Sequence, residues 1–157
     1  MVKNMGEIKA KVKLTNATDQ ALVRRGLLTN NQVRVYETEA TVDTGAVRCV
    51  LPLYVAQQLG LDMVSQRVAE YADGRHEMVG ITEPFLINLL GREEFENAMV
   101  LGDEVLIGQT ALEKMDVFID CTGQRVIPNP AHPDQPISKI RIVGSRALGS
   151  GSQVGRT

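Results

Sequence analysis

The four residues Asp43-Thr44-Gly45-Ala46 offer the most informative chemistry in the chain. A carboxylate can take up or deliver a proton, Gly45 permits a tight turn, and Ala46 leaves room beside it. The apolar residues Ala40 and Val42 precede Asp43, and an apolar stretch over 47–51 follows it. A carboxylate between two core segments must be hydrogen-bonded, paired or functional, because burying it unpaired is costly. The simplest alternative is that Asp43 only caps a turn.

The elements around this tetrapeptide are predicted from alternation and turn residues. The stretch from Val33 to Val42 reads as a strand, and Pro52 is well placed to start a short helix that ends near Gly60. Residues 8–14 alternate apolar side chains with lysines and predict a half-buried strand. Residues 16–19 are predicted as a turn.

Further hairpins follow along the chain. Asp73-Gly74 is favoured turn chemistry within 68–79. Strands are expected over 84–90 and 95–101, a capping-box pattern predicts a short helix from Thr110, and Thr122-Gly123 marks a last hairpin. Many short strands and one or two short helices predict a mostly β domain.

Together these features resemble the retropepsin-like (retroviral-type) aspartic peptidases over about residues 7–128. Residues 41–46 are similar to the active-site loop of that family. The hairpin at Asp73-Gly74 falls where the family places its flap, and Leu106-Ile107-Gly108 resembles its hydrophobic-hydrophobic-Gly element. The resemblance implies a closed, barrel-like β domain that forms half of a pepsin-type site.

The resemblance also implies roles for particular residues. Asp43 would be the catalytic carboxylate, supported by Thr44, Gly45 and Ala46, with Thr44 forming hydrogen bonds across a two-fold axis. The flap would comprise Tyr71, Ala72, Asp73, Gly74 and Arg75, and Leu106, Ile107 and Gly108 would pack beside the loop.

A single Asp-Thr-Gly implies that the second carboxylate comes from another copy of the chain. Asp120-Cys-Thr-Gly123 carries one residue too many to serve as a second motif. The expected protein is therefore a homodimeric endopeptidase that binds a protein or peptide substrate in extended form. The alternative is an inactive dimerisation or peptide-binding module of the same fold. A third possibility is a β-barrel scaffold unrelated to peptidases.

Composition narrows the remaining classes. A net charge of −2 gives no footprint for nucleic acid or an anionic membrane, and the chain contains no apolar run of about 20 residues. No metal-ligand spacing, phosphate loop or Cys-x-x-Cys pair occurs, so no metal or cofactor is expected. Cys49 and Cys121 are read as reduced thiols, and the expected location is the cytoplasm.

Three regions are predicted along the chain. Residues 1–128 form the peptidase-like domain, and residues 129–143 form a Pro-rich extension with a possible terminal strand at 137–143. Residues 144–157 are a Gly/Ser-rich tail that is expected to be disordered.

Overall fold

The fold is built on a long mixed β-sheet with short helices, as seen in a computed structural model that describes residues 7–140. The strands are β1 (Ile8–Thr15), β2 (Val35–Val42), β3 (Cys49–Leu51), β4 (Met63–Glu70), β5 (His76–Thr82), β6 (Phe85–Leu89), β7 (Arg92–Glu96), β8 (Ala98–Val100), β9 (Leu106–Ile107), β10 (Val117–Asp120) and β11 (Arg125–Pro128). The α-helices are α1 (Ala17–Arg24), α2 (Leu53–Gln58) and α3 (Gln109–Met115), and a 3-10 turn spans Asn30–Gln32.

Nine strands form one sheet in the order β4-β5-β8-β3-β9-β2-β1-β6-β7, and β10 and β11 form a separate hairpin. β1 and β2 pair antiparallel over their whole length, whereas β2 pairs with β9, and β3 with β8, in parallel. These parallel contacts bring residues that are distant in the sequence to the centre of the sheet.

Alternation along β1 sets the two faces of the sheet at this point. Val12 and Leu14 are buried, whereas the three lysines between the apolar positions of β1 are exposed. Val55 of α2, Leu59 at the C-cap of that helix and Met115 of α3 belong to the same hydrophobic cluster. The predicted half-buried strand at 8–14 is therefore confirmed.

The mostly β, retropepsin-like class is confirmed, but two details of the prediction are wrong. The sheet is open rather than barrel-like, because β4 and β7 are edge strands that each pair with one neighbour. Both edges carry charged side chains, which favour exposure to water over further strand pairing. The described residues also contain three α-helices instead of one or two.

The additional helix is α1, which begins where residues 16–19 were predicted to form only a turn. The Asn16 side chain caps α1 by accepting a hydrogen bond from the Asp19 backbone N–H at 2.8 Å. Asn16 also donates to the Leu59 carbonyl, and Asp19 forms a two-bond ion pair with Arg34 at 2.9 Å. Residues 16–19, which favour a turn, are thus the N-cap and first turn of α1. Hydrogen bonds to Leu59 and Arg34, which are distant in the sequence, stabilise this helix start.

The Pro-rich segment after β11 is attached to the body through a polar cluster. Arg92, which is 5% exposed, donates to the carbonyls of Asp116 and His132. The Asp116 carboxylate accepts hydrogen bonds from Asn129 and from the Ile137 N–H. These bonds and the neighbouring imidazole of His132 lower the pKa of Asp116 to about 2.

Residues 137–140 have no regular secondary structure, so the possible terminal strand is absent from its described part. Residues 141–143 and the predicted tail at 144–157 lie outside the described residues. Over residues 7–140 the structure contains no helix long and apolar enough to cross a membrane.

Candidate active site

Asp43 stands at the point where the central strand β2 leaves the sheet. The backbone N–H groups of Thr41 and Asp43 donate to the carbonyls of Val105 and Ile107, both at 2.9 Å. The ladder with β9 therefore continues through Asp43, although β2 itself ends at Val42. The sheet thus fixes the backbone that carries the carboxylate.

The turn after Asp43 is held by its own hydrogen bonds. Asp43 Oδ1 accepts from the Gly45 N–H at 3.0 Å, and the Asp43 carbonyl accepts from the Ala46 N–H at 3.1 Å. Asp43 is half-buried, and Thr44 and Gly45 are exposed. In the single chain the hydrogen bond from Gly45 therefore orients the Asp43 carboxylate. The carboxylate is not fully buried and remains accessible to water.

Gly108 backs this loop at very short range. A Cβ added to Gly108 would lie 2.8 Å from the Ala46 carbonyl oxygen and 2.8 Å from backbone atoms of Arg48. The next residue, Gln109, donates its N–H to that same Ala46 carbonyl at 2.7 Å. The structure therefore places Gly108, which directly follows β9, against the Asp43 loop.

Cys49 lies just beyond the loop but is not a candidate nucleophile. Its side chain is buried, and burial raises the pKa of the thiol to about 11. A thiol of that pKa stays protonated near neutrality and is unreactive. Cys49 is therefore a core residue, and both cysteines are free.

The β4–β5 hairpin carries the five residues predicted as a flap. Two backbone hydrogen bonds close its tip: the Tyr71 N–H donates to the Arg75 carbonyl, and the Gly74 N–H donates to the Tyr71 carbonyl. Gly74 adopts a φ of +89°. Arg75 donates to the Asp73 carboxylate at 2.8 Å and lies over the Tyr71 ring, 4.5 Å from its centroid. The Tyr71 hydroxyl donates to Glu77. The tip is therefore ordered by its own side chains, and all of the predicted flap residues lie in it.

These contacts shift two pKa values at the tip. Hydrogen bonds from the backbone and side chain of Arg75 lower the pKa of Asp73. The hydrogen bond to Glu77 raises the pKa of Tyr71. Both groups are exposed to solvent, so these shifts describe local order and not a buried reactive centre.

The face of the sheet that carries Asp43 can be followed through the pairing register. Thr41 lies two residues before Asp43, so the two side chains point to the same face of the strand. Residues that are paired on neighbouring strands point to the same face of the sheet. A row of side chains on the Asp43 face therefore continues from Thr41 across five further strands. That row consists of Lys9, Thr41, Leu106, Val50, Met99 and Ile81.

The similarity of this chain to known proteins lies in its fold. No protein-family model matches the chain, and no curated protein matches its sequence. Among solved structures, it is similar to the retroviral protease-like domain of Ddi1 from Leishmania major, with a TM-score of 0.51 and 19% sequence identity. The match covers 79% of this chain and 89% of that one. The chain has a retropepsin-like fold.

Within this retropepsin-like fold, Asp43 is the only predicted catalytic carboxylate. Two other Asp residues, each with a Gly one or three positions later, are used in turns. Asp73 binds Arg75 at the hairpin tip, and Asp120 accepts from Gly123 and Arg125 in the β10–β11 turn. Among residues 7–140 no cluster of three or more His, Cys, Asp or Glu side chains could hold a metal ion.

A polar network beside Asp43 was missed by sequence reasoning. The Thr41 hydroxyl donates to Glu104 at 2.6 Å and accepts from Lys9 Nζ at 2.8 Å, and Lys9 lies 3.6 Å from Glu104. Alternation along β2 places Thr41 on the Asp43 face and was available as a signal. The contacts with Lys9 and Glu104 could not be predicted, because they depend on the register of β1 with β2 and on the position of the segment between β8 and β9.

Proposed function

We propose that this protein is a homodimeric aspartic endopeptidase in which Asp43 and its symmetry mate form the catalytic dyad. The supporting observation is the Asp43-Thr44-Gly45 turn at the end of β2, clamped against Gly108 within a retropepsin-like fold. The loop orients one carboxylate and leaves it accessible. That is half of the required chemistry.

The need for a second copy follows from counting carboxylates. Hydrolysis requires a water made nucleophilic and a proton delivered to the substrate. Two close carboxylates can do both, because like charges a few ångströms apart favour a state in which one proton is shared. Asp73 and Asp120 are engaged in their own turns, so the partner carboxylate is Asp43 of a second chain. A two-fold axis beside the exposed Thr44 would supply it.

The substrate would lie extended across the two Asp43 loops. In this arrangement the β4–β5 hairpin of each subunit would cover the substrate and add strand-like hydrogen bonds to its backbone. The dyad would titrate as one coupled pair, so cleavage should rise and fall with pH on the acid side of neutrality. We place the enzyme in the cytoplasm, which the two free cysteines support.

The test compares wild type with Asp43→Asn and with Asp120→Asn as the matched control. Each protein is incubated with an unstructured protein substrate from pH 4 to 7, and the fragments are identified by mass spectrometry. Asp43→Asn should lower cleavage by at least about a thousandfold, because the substitution removes both carboxylates of the dyad in the homodimer and no group remains to accept a proton from water. Asp120→Asn should cleave as wild type does.

Sedimentation and thermal unfolding complete this test. Asp43→Asn should remain a folded dimer, because its side chain keeps the acceptor for the Gly45 N–H. Absence of cleavage by a wild type that is folded and dimeric would overturn the proposal in favour of a binding module. Loss of folding in Asp43→Asn would show that Asp43 is structural.

A further inference from the structure

The row of side chains that flanks Asp43 is apolar at one end and polar at the other. Leu106, Val50, Met99 and Ile81 make the end toward the β4–β5 hairpin apolar. Lys9 and Thr41 make the other end polar, and Glu104 joins them through its hydrogen bond from Thr41. Thr41 is two residues, or about 7 Å, from Asp43 along the strand.

The polar end retains unused hydrogen-bonding capacity. Thr41 is 8% exposed and its hydroxyl is occupied by both neighbours. The side chains of Lys9 and Glu104 are 41% and 49% exposed. An ammonium has three donors and a carboxylate about four acceptor sites, so each charged group can bind a further partner. Thr41 therefore holds Lys9 and Glu104 in position, and the exposed charged groups of these two side chains can bind a ligand.

The chemistry of the pair favours one class of side chain. A large apolar side chain placed over it would remove water from two charges and return no hydrogen bonds, which is unfavourable. A carboxamide offers both complements, because its oxygen can accept from Lys9 and its NH2 group can donate to Glu104. Lys9 Nζ also lies 3.8 Å from Glu7 Oε1, so an anion at this site would be repelled by two carboxylates. A cation would bind Glu104 but be repelled by Lys9.

We infer that Lys9, Thr41 and Glu104 form a specificity pocket for a glutamine or asparagine side chain beside the scissile bond. This inference rests on the proposed function. In the homodimer the two-fold axis repeats the pocket, so it would serve the residue on each side of the cleaved bond. Lys9 and Glu104 are the specificity-determining residues, and Thr41 is a positioning residue.

The experiment uses two peptides that differ only at the residues flanking the cleaved bond, with Gln at both positions or Leu at both. Wild type should cleave the Gln peptide with a kcat/KM about tenfold higher, since each hydrogen bond to a charged group contributes substantially. The double variant Lys9→Met/Glu104→Leu should lose or reverse this ratio. Lys11→Met is the matched control, because Lys11 is on the same strand face one step further from Asp43.

Binding of the same peptides to Asp43→Asn provides a second readout that does not require chemistry. The Gln peptide should bind about tenfold more tightly by calorimetry, and adding Lys9→Met/Glu104→Leu should equalise the two affinities. Cleavage of both peptides with equal kcat/KM would overturn the proposed pocket but would leave the proposed peptidase function standing. Cleavage of neither peptide by wild type, together with equal binding to Asp43→Asn, would overturn both proposals.

Discussion

The Asp43 loop and the β4–β5 hairpin tip are both tight turns between strands, but they are held in different ways. The loop is fixed by distant parts of the chain: β9 binds the Asp43 backbone, and Gly108 and Gln109 contact Ala46. The hairpin tip is fixed by residues within itself, through the Asp73–Arg75 pair and the Tyr71 hydroxyl. One turn is positioned by the fold, and the other is ordered only locally.

This difference fits the two roles proposed above for the Asp43 loop and the β4–β5 hairpin. A catalytic carboxylate must be held within a fraction of an ångström, and supporting residues on rigid elements provide that precision. A segment that covers a substrate must open and close, and such segments come from the less stable part of a structure. Most side chains of β4 are exposed, and β4 is an edge strand, so the hairpin has few contacts that oppose motion.

The largest expected effect comes from Gly108→Ala in the loop support. The new Cβ would meet backbone atoms of Ala46 and Arg48 at 2.8 Å, and backbone cannot rotate aside as a side chain can. We expect a loss of about 3 kcal/mol in the free energy of unfolding, measured by urea denaturation. Peptide cleavage should fall further than the loss of folded protein alone explains. A stability equal to wild type would show that the loop is not rigidly backed.

A smaller effect is expected from Gly74→Ala at the hairpin tip, which is the matched glycine replacement. No atom lies within 4 Å of the added Cβ, so the only penalty is the φ of +89°. That penalty is about 1 kcal/mol for a side-chain-bearing residue, again read from urea denaturation. If Gly74→Ala were as destabilising as Gly108→Ala, the contrast between the two turns would fail.

The smallest effect is a pH dependence confined to the hairpin tip. Arg75 lowers the pKa of Asp73 in the folded hairpin below its ordinary value of 3.8. The Asp73 contribution is therefore present above about pH 3.8 and is lost as pH falls through the lower folded value. Protection factors for amide hydrogen exchange at residues 71–75, which correct for the intrinsic pH dependence of exchange, should fall below that pH in wild type.

Substitution separates this local effect from general acid unfolding. Asp73→Asn should make exchange at the tip faster above pH 4 and nearly independent of this titration. Asp120→Asn, which breaks a similar Asp–Arg pair in the β10–β11 turn, should leave the tip unchanged. A tip that responds equally to both substitutions would not be an independently ordered segment.

The sequence predicted the parts of this protein that local patterns control. Alternation identified β1 and β2, and Asp73-Gly74 identified the β4–β5 hairpin. The close packing of Leu106-Ile107-Gly108 beside the Asp43 loop was expected from a family resemblance rather than from local chemistry. The assignment of roles to these residues stays a prediction.

The features that were missed depend on partners far along the chain. Helix α1 was read as a turn because its capping residue, Asn16, is also a turn residue, and its stability depends on Leu59 and Arg34. Arg92 lies between the strands predicted over 84–90 and 95–101, yet it begins β7, is buried and binds the carbonyls of Asp116 and His132. Neither local propensity nor periodicity contains such information.

The parallel pairing of β2 with β9 also has a consequence for the order in which the chain folds. The β4–β5, β6–β7 and β10–β11 hairpins join neighbouring segments and can form early, whereas Thr41 and Leu106 must meet across a long stretch of chain. During synthesis Asp43 emerges long before the glycine that completes its loop. A partly translated chain therefore carries the Asp43 carboxylate before Gly108 is present to support its loop. Under the proposed function, peptide cleavage would begin only after translation has passed Gly108.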